Sequence, residues 1–210
     1  MAVGAVVRRA FGPYEREISD AWRAMFVDLD AWTRAIKASK PDPGRILEVG
    51  CGEGAGTEKL AEYFPNARID AIDIADNLGR LYRGDTDRVV FRKQFVEDRA
   101  AAEPGAYDLV VLCDVIHHVP QEAQDSLLVA IRTLLRPGGV FAMKDWHRDY
   151  SPVYWMCYLA DRYLTGDRIR YKKPGEARAQ LDRIFGSANV ERSAPIRPWR
   201  NNYTFFASVD

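Results

Sequence analysis

The chain carries no excess of charge of either sign. Thirty basic and 30 acidic residues cancel over 210 positions, so no global field steers it toward nucleic acid. Histidine and cysteine are scarce, with three of each. Cys51, Cys113 and Cys157 are odd in number and lack metal-ligand spacing, which excludes a disulfide framework and a zinc module and predicts no bound metal. Reduced thiols in the cytoplasm are the simple expectation. No run approaches the roughly 18 apolar residues of a membrane-spanning helix. Met1 to Val7 is too short an apolar run for a secretory signal and is followed by Arg8 and Arg9. Internal repeats and low-complexity segments are absent too. What remains is an ordinary globular composition, 47% hydrophobic and 29% charged.

The informative stretch is Ile46-Leu47-Glu48-Val49-Gly50-Cys51-Gly52-Glu53-Gly54-Ala55-Gly56. An apolar strand runs into glycines at every second position. Such a strand end is bare backbone, on which a ligand can lie with the N–H groups of the next helix pointing at it. In α/β sheets that carboxyl edge is where ligands bind. Gly50-x-Gly52-x-x-Ala55 satisfies the relaxed dinucleotide fingerprint, so a nicotinamide oxidoreductase stays open on the glycines alone. A P-loop is excluded, because no Gly-Lys-Ser/Thr follows. Glu48 speaks against a pyrophosphate, which it would repel, and suits a ligand with a cationic end such as an α-ammonium or a sulfonium.

An acidic residue followed by G-x-G-x-G at the end of the first strand resembles the first motif of the class I S-adenosylmethionine-dependent methyltransferases, small-molecule type. The likeness covers residues 44 to about 148 by motif and 188 to 210 by pattern. It implies a Rossmann-like, doubly wound α/β fold, with a seven-stranded, mostly parallel sheet and an antiparallel C-terminal hairpin strand. A second strand, Arg68 to Ile74, ends at Asp73 and Ile74. A carboxylate there can accept two hydrogen bonds from a vicinal diol, and the family places ribose on Asp73 and adenine on Ile74; helix capping is the plain alternative for Asp73. Asp70 reads as solvent-facing or structural. The family's adenine-binding Asp after the third strand, Arg88 to Phe95, falls on Phe95, so Glu97, Asp98 or backbone must substitute. The apolar run Tyr107 to Cys113 reads as a strand buried on both faces. A helix over Gln121 to Leu135 and the family-typical turn Arg136-Pro137-Gly138-Gly139 lead into a fifth strand, Val140 to Trp146. Val190 to Ile196 and Tyr203 to Val209 read as the closing hairpin. By resemblance the cofactor, S-adenosyl-L-methionine, is held by Glu48, Gly50, Cys51, Gly52, Asp73, Ile74 and Cys113.

Pro41-Asp42-Pro43-Gly44 separates an N-terminal helical arm, residues 1–43, from a methyltransferase domain, residues 44–210. Ile18, Trp22, Met25, Phe26, Leu29, Trp32 and Ile36 recur at helical spacing in the arm, as for a helix packed over the domain. Residues 147–187 read as a helical, aromatic-rich lid. Ser151-Pro152 opens one helix, Leu164-Thr165-Gly166-Asp167 ends it, and a second spans Pro174 to Phe185. The helix carries Trp155, Leu159 and Arg162 on one face and Tyr154, Tyr158 and Asp161 on another. A lid over an aromatic or lipophilic small-molecule acceptor is the favoured reading, with Tyr14, Trp146, Tyr150 and Tyr154 as candidate contacts. A homodimer interface would use the same composition. Arg162, Arg168, Arg170, Lys172 and Lys173 leave room for a membrane-surface contact or an anionic acceptor group, and a solvated face is the bland reading of those charges.

Methyl transfer to an oxygen or nitrogen needs an aligned acceptor and a route for its proton. His117, His118 and His147 all follow the fourth or fifth strand. His118 matches a family histidine that is usually structural. His117 falls where plant-type small-molecule O-methyltransferases carry their base, and His147 is the second candidate. Cys113-Asp114-Val115-Ile116 lacks the Asn/Asp-Pro-Pro-Tyr/Phe loop of base amino methylation, which argues against nucleic-acid acceptors. A non-catalytic, cofactor-binding partner subunit of the same fold is the remaining alternative.

Overall fold

A computed structural model describes residues 12–160, 162–163 and 169–210. The expectations placed on Met1 to Val7, Arg8, Arg9, Asp161, the Leu164-to-Asp167 stop and Arg168 lie outside them. Seven strands form one sheet: β1 (Arg45–Val49), β2 (Arg68–Asp73), β3 (Val89–Lys93), β4 (Tyr107–Cys113), β5 (Leu135–Trp146), β6 (Val190–Ser193) and β7 (Asn202–Ser208), in the order β3-β2-β1-β4-β5-β7-β6. The first five are parallel, and β7 runs antiparallel to both β5 and β6. The doubly wound, mostly parallel sheet of the resemblance is therefore the fold. The fifth strand begins five residues earlier than expected, because Leu135 already pairs with Tyr107 and the chain bulges through the Arg-Pro-Gly-Gly turn.

Strand alternation sends side chains to two faces. Ile46, Leu109, Val111 and Phe206 face α2 (Leu29–Ser39) and α3 (Ala55–Tyr63), where Trp32 stacks on Phe206 at 6.1 Å. Leu47, Val110, Leu112 and Phe141 face α5 (Gln121–Leu134) and α7 (Pro174–Phe185), and Phe185 stacks on Phe141 at 5.6 Å. A short helix, α4 (Val96–Ala102), follows β3. Asp70 takes the structural half of its expectation: it accepts from Tyr107 Oη at 2.9 Å and from Arg99 at 3.1 Å in the interior. No helix among the described residues is long and apolar enough to cross a membrane.

Two boundaries differ from those the sequence predicts. The arm is two helices, α1 (Glu15–Ala24) and α2, because Asp28 caps α2 by accepting from Ala31 N at 2.8 Å. The lid also divides. Only α6 (Pro152–Ala160) lies by the ligand edge, where Tyr154, Cys157 and Tyr171 pack on Trp146. Helix α7 buries Ala177, Leu181 and Phe185 in the main core, so it is a layer of the domain and not a cover.

Candidate active site

After β1 the loop doubles back onto the end of β2, with Gly50 N and Cys51 N both donating to Ile72 O at 2.8 and 3.2 Å. Asp73 braces the loop from the side: it accepts from Gly52 N at 2.8 Å and from its own neighbour Ala75 N at 2.9 Å. Its carboxylate retains lone pairs for further donors. Gly52 has φ of +50°, and a Cβ there would meet nothing within 4 Å, so the backbone at this point borders open space.

Glu48 is buried under the loop and accepts from Thr57 Oγ1 at 2.5 Å. Burial pushes its carboxyl up to about 7, with Asp73 adding to the rise. Gly56, in the first turn of α3, lies against it: a Cβ at 56 would sit 2.3 Å from Glu48 Oε1. This glycine makes room for a carboxylate rather than for a turn.

Two cavities flank the loop. The first, about 320 Å³, lies between β1, β4 and the helical arm and is bordered by Glu48, Ser19, Arg23, Trp22, Phe26 and Trp146. Its aromatic wall is continuous, with Trp22 and Phe26 rings 5.0 Å apart and Phe26 edge-on to Trp146 at 6.3 Å. Ser19 Oγ is buried there without a hydrogen-bond partner. All three cysteines line this cavity, and burial together with Glu48 and Asp114 raises the Cys51 and Cys113 thiols, which keeps them protonated and poor as nucleophiles. The second cavity, about 520 Å³, holds Asp73, Ile74, Gln94, Phe95 and His118. Ile74 and Phe95 are 62% and 60% exposed into it, a pair of apolar walls that water alone does not explain. Gln94 Oε1 is buried at its edge with no hydrogen-bond partner. Glu97 borders this cavity, whereas Asp98 does not.

Gly50 and Asp114 border both cavities. Asp114 has φ of +55°, and its two oxygens accept from Lys144 Nζ at 2.8 and 2.7 Å. The Lys144 ammonium is buried 4.3 Å from the Trp146 ring centre. Burial alone would lower it, and the carboxylates of Asp114 and Asp145 outweigh that and hold it charged.

Every cofactor candidate of the sequence lies on these cavities: Glu48, Cys51, Gly52 and Cys113 on the first, Asp73 and Ile74 on the second, Gly50 on both. The catalytic and acceptor candidates scatter. His117 borders neither cavity; it is buried in the 3-10 turn Ile116–His118, with Nδ1 2.5 Å from Asp145 Oδ1 and its ring 4.9 Å from Tyr171. His147 also borders neither and is bound through its backbone to Asn201 O at 2.7 Å. The His117 ring is thus packed in the interior against Tyr171, and the half-buried His147 lies at the end of β5 beside Lys172. Trp146 lines the first cavity, but Tyr14 is 68% exposed away from it, Tyr150 projects to solvent and Tyr154 is buried behind Trp146. Sequence reasoning missed Ser19, Arg23, Gln94 and Asp114. Ser19 and Arg23 come from a helix whose polar face carries no motif, and Gln94 sits one residue before the position the family pattern indicates.

The residues fit an adenosyl amino-acid cofactor. An orphaned hydroxyl and a guanidinium suit its carboxylate, Glu48 its ammonium, Asp73 its ribose, and Gln94 with Ile74 and Phe95 its adenine. A family profile described as a methyltransferase domain matches residues 21–186. The ubiquinone biosynthesis O-methyltransferase of Xanthomonas campestris pv. campestris (strain B100) is 33% identical over 171 residues, which cover 76% of this chain and 70% of that one. The same-named protein of Xanthomonas euvesicatoria pv. vesicatoria (strain 85-10) is 33% identical over 168 residues, 75% and 68% of the two chains. Among solved structures, Burkholderia thailandensis 1,6-didemethyltoxoflavin-N1-methyltransferase, with its acceptor and S-adenosylhomocysteine bound, superposes with a TM-score of 0.68 at 20% identity over 98% of this chain and 88% of that one.

Proposed function

This chain belongs to the class I S-adenosylmethionine-dependent methyltransferases of small-molecule type, and on that premise we propose that its acceptor is a small aromatic or lipophilic molecule methylated on oxygen. The observation that carries the reading is the wall of Trp22, Phe26 and Trp146 beside the loop that holds the methyl donor. Flat rings pack on such a wall in defined orientations. The names of the sequence relatives favour oxygen over nitrogen. The nicotinamide reading, which rested on glycines alone, is set aside by the family and by Glu48.

When bound, S-adenosylmethionine supplies a methyl group on a positively charged sulfur. Glu48, Ser19 and Arg23 would hold its amino-acid end, and Asp73 with Gln94 its nucleoside end. The aromatic wall holds the acceptor in line and excludes water, and alignment of this kind supplies much of the rate. No histidine lines the first cavity among the described residues. That selects acceptors whose proton leaves readily, such as catechols or hydroquinones, over aliphatic alcohols. The reduced state of Cys51, Cys113 and Cys157 is the ground on which we assign the cytoplasm.

The test is an acceptor panel with methyl-labelled donor, read by mass spectrometry. Catechols and hydroquinones are expected to gain one methyl group and simple alcohols none. Binding of S-adenosylhomocysteine without product from any ring acceptor would overturn the acceptor class and favour a non-catalytic partner subunit.

A further inference from the structure

We propose that Asp114 is the residue that distinguishes the charged methyl donor from its neutral product, with Lys144 setting how strongly it does so. The donor has a nucleoside half and an amino-acid half joined at sulfur. The chemistry of the second cavity suits the first half, and that of the first cavity suits the other. The two cavities meet at Gly50 and Asp114. The sulfur therefore falls against a residue without a side chain and a residue with a carboxylate.

Several observations show that this carboxylate is held in place. Asp114 adopts a left-handed backbone, φ +55°, a conformation that Asp and Asn reach more readily than other side-chain-bearing residues. Its N–H donates to Lys144 O at 2.9 Å while both of its oxygens accept from Lys144 Nζ. The Lys144 side chain is 0% exposed and that of Asp114 22%. The pair is thus held in one arrangement, with its cation buried over the Trp146 ring and its carboxylate at the border of both cavities. A sulfonium is attracted to that carboxylate and a thioether is not. Orientation is preset, so the preference costs no rearrangement on binding.

The proposal rests on the identity of the donor and holds whatever the acceptor is. Isothermal titration of the full chain with S-adenosylmethionine and with S-adenosylhomocysteine gives a ratio of two dissociation constants. Asp114→Asn keeps the size and tolerates the left-handed backbone; it is expected to shift that ratio toward S-adenosylhomocysteine by about tenfold. Lys144→Met removes the cation behind the carboxylate and is expected to shift the ratio the opposite way at pH 8. The double variant leaves no orphaned charge; it is expected to move with Asp114→Asn, by less, and decides the matter if a single variant fails to bind S-adenosylhomocysteine. A structural pair would weaken both ligands together, so an unchanged ratio in Asp114→Asn and in the double variant overturns the role of Asp114. Failure of the unmutated protein to bind either ligand overturns the donor assignment instead.

Discussion

Glu48 carries two opposing demands. Its carboxyl is raised from its ordinary value to about 7 by burial. For an acid with a raised folded-state pKa, stability is fully present below the unfolded value and is lost as pH rises toward the folded one. The cofactor-free protein is therefore expected to lose stability between about pH 4.5 and 7 on this account. Glu48→Gln is expected to recover on the order of 2 kcal/mol at pH 8, measured by urea unfolding. The same variant is expected to weaken S-adenosylmethionine binding at least about tenfold. In the unmutated protein, binding the cofactor ammonium at pH 6 should release a proton, seen as a buffer-dependent titration heat that fades above pH 8. A stable variant with unchanged affinity would remove Glu48 from the ammonium site. Glu48, the glycines, Asp73 and Ile74 were legible in the sequence because strand, loop and helix follow one another within a short stretch. Asp114 and Lys144 were not, because they meet only when β4 and β5 lie side by side. The partners of His117 were not legible either, because Asp145 and Tyr171 reach its ring only once β5 and the chain after α6 are in place.

At the scale of elements, the arm is part of the site. Arg80 grips Glu15 of α1 with two nitrogens at 2.8 and 2.6 Å and reaches Glu53 of the glycine loop at 2.6 Å. Arg16 of α1 donates to Leu81 O at 2.8 Å. These partly exposed pairs each contribute at most about 1 kcal/mol to stability, yet they tie α1, the helix that carries Ser19 and Arg23, to the loop and to the segment after β2. Arg80→Ala is expected to lower cofactor affinity several-fold with little change in melting temperature; equal losses in both would show the clamp to be structural only. Helix α7 behaves oppositely. Leu181 is fully buried, and Leu181→Ala is expected to cost about 2–4 kcal/mol. The limits of β4 and α7 could be read in advance, one from an unbroken apolar run and the other from Pro174 at its first turn. The break between α1 and α2 was hidden, because Met25 and Phe26 continue the apolar spacing through residues that do not continue the helix.

At the scale of the molecule, both cavities lie at one edge of the sheet, and the cofactor binds only the folded chain. S-Adenosylhomocysteine at a hundred times its dissociation constant is expected to add about 2.7 kcal/mol, a rise in melting temperature of roughly 5–10 °C for a domain of this size. No shift would argue against the site. The sheet has one further property. Strand β7 is the last in sequence but lies between β5 and β6, and pairs with β5 along seven residues from Val140 to Trp146. Until residues 202–208 leave the ribosome, the strand that bears Lys144 and Trp146 has a bare edge, and β6 has no neighbour at all. The nascent chain cannot finish its ligand-binding edge by stages. Removal of 202–210 is expected to yield aggregated protein rather than a weaker enzyme.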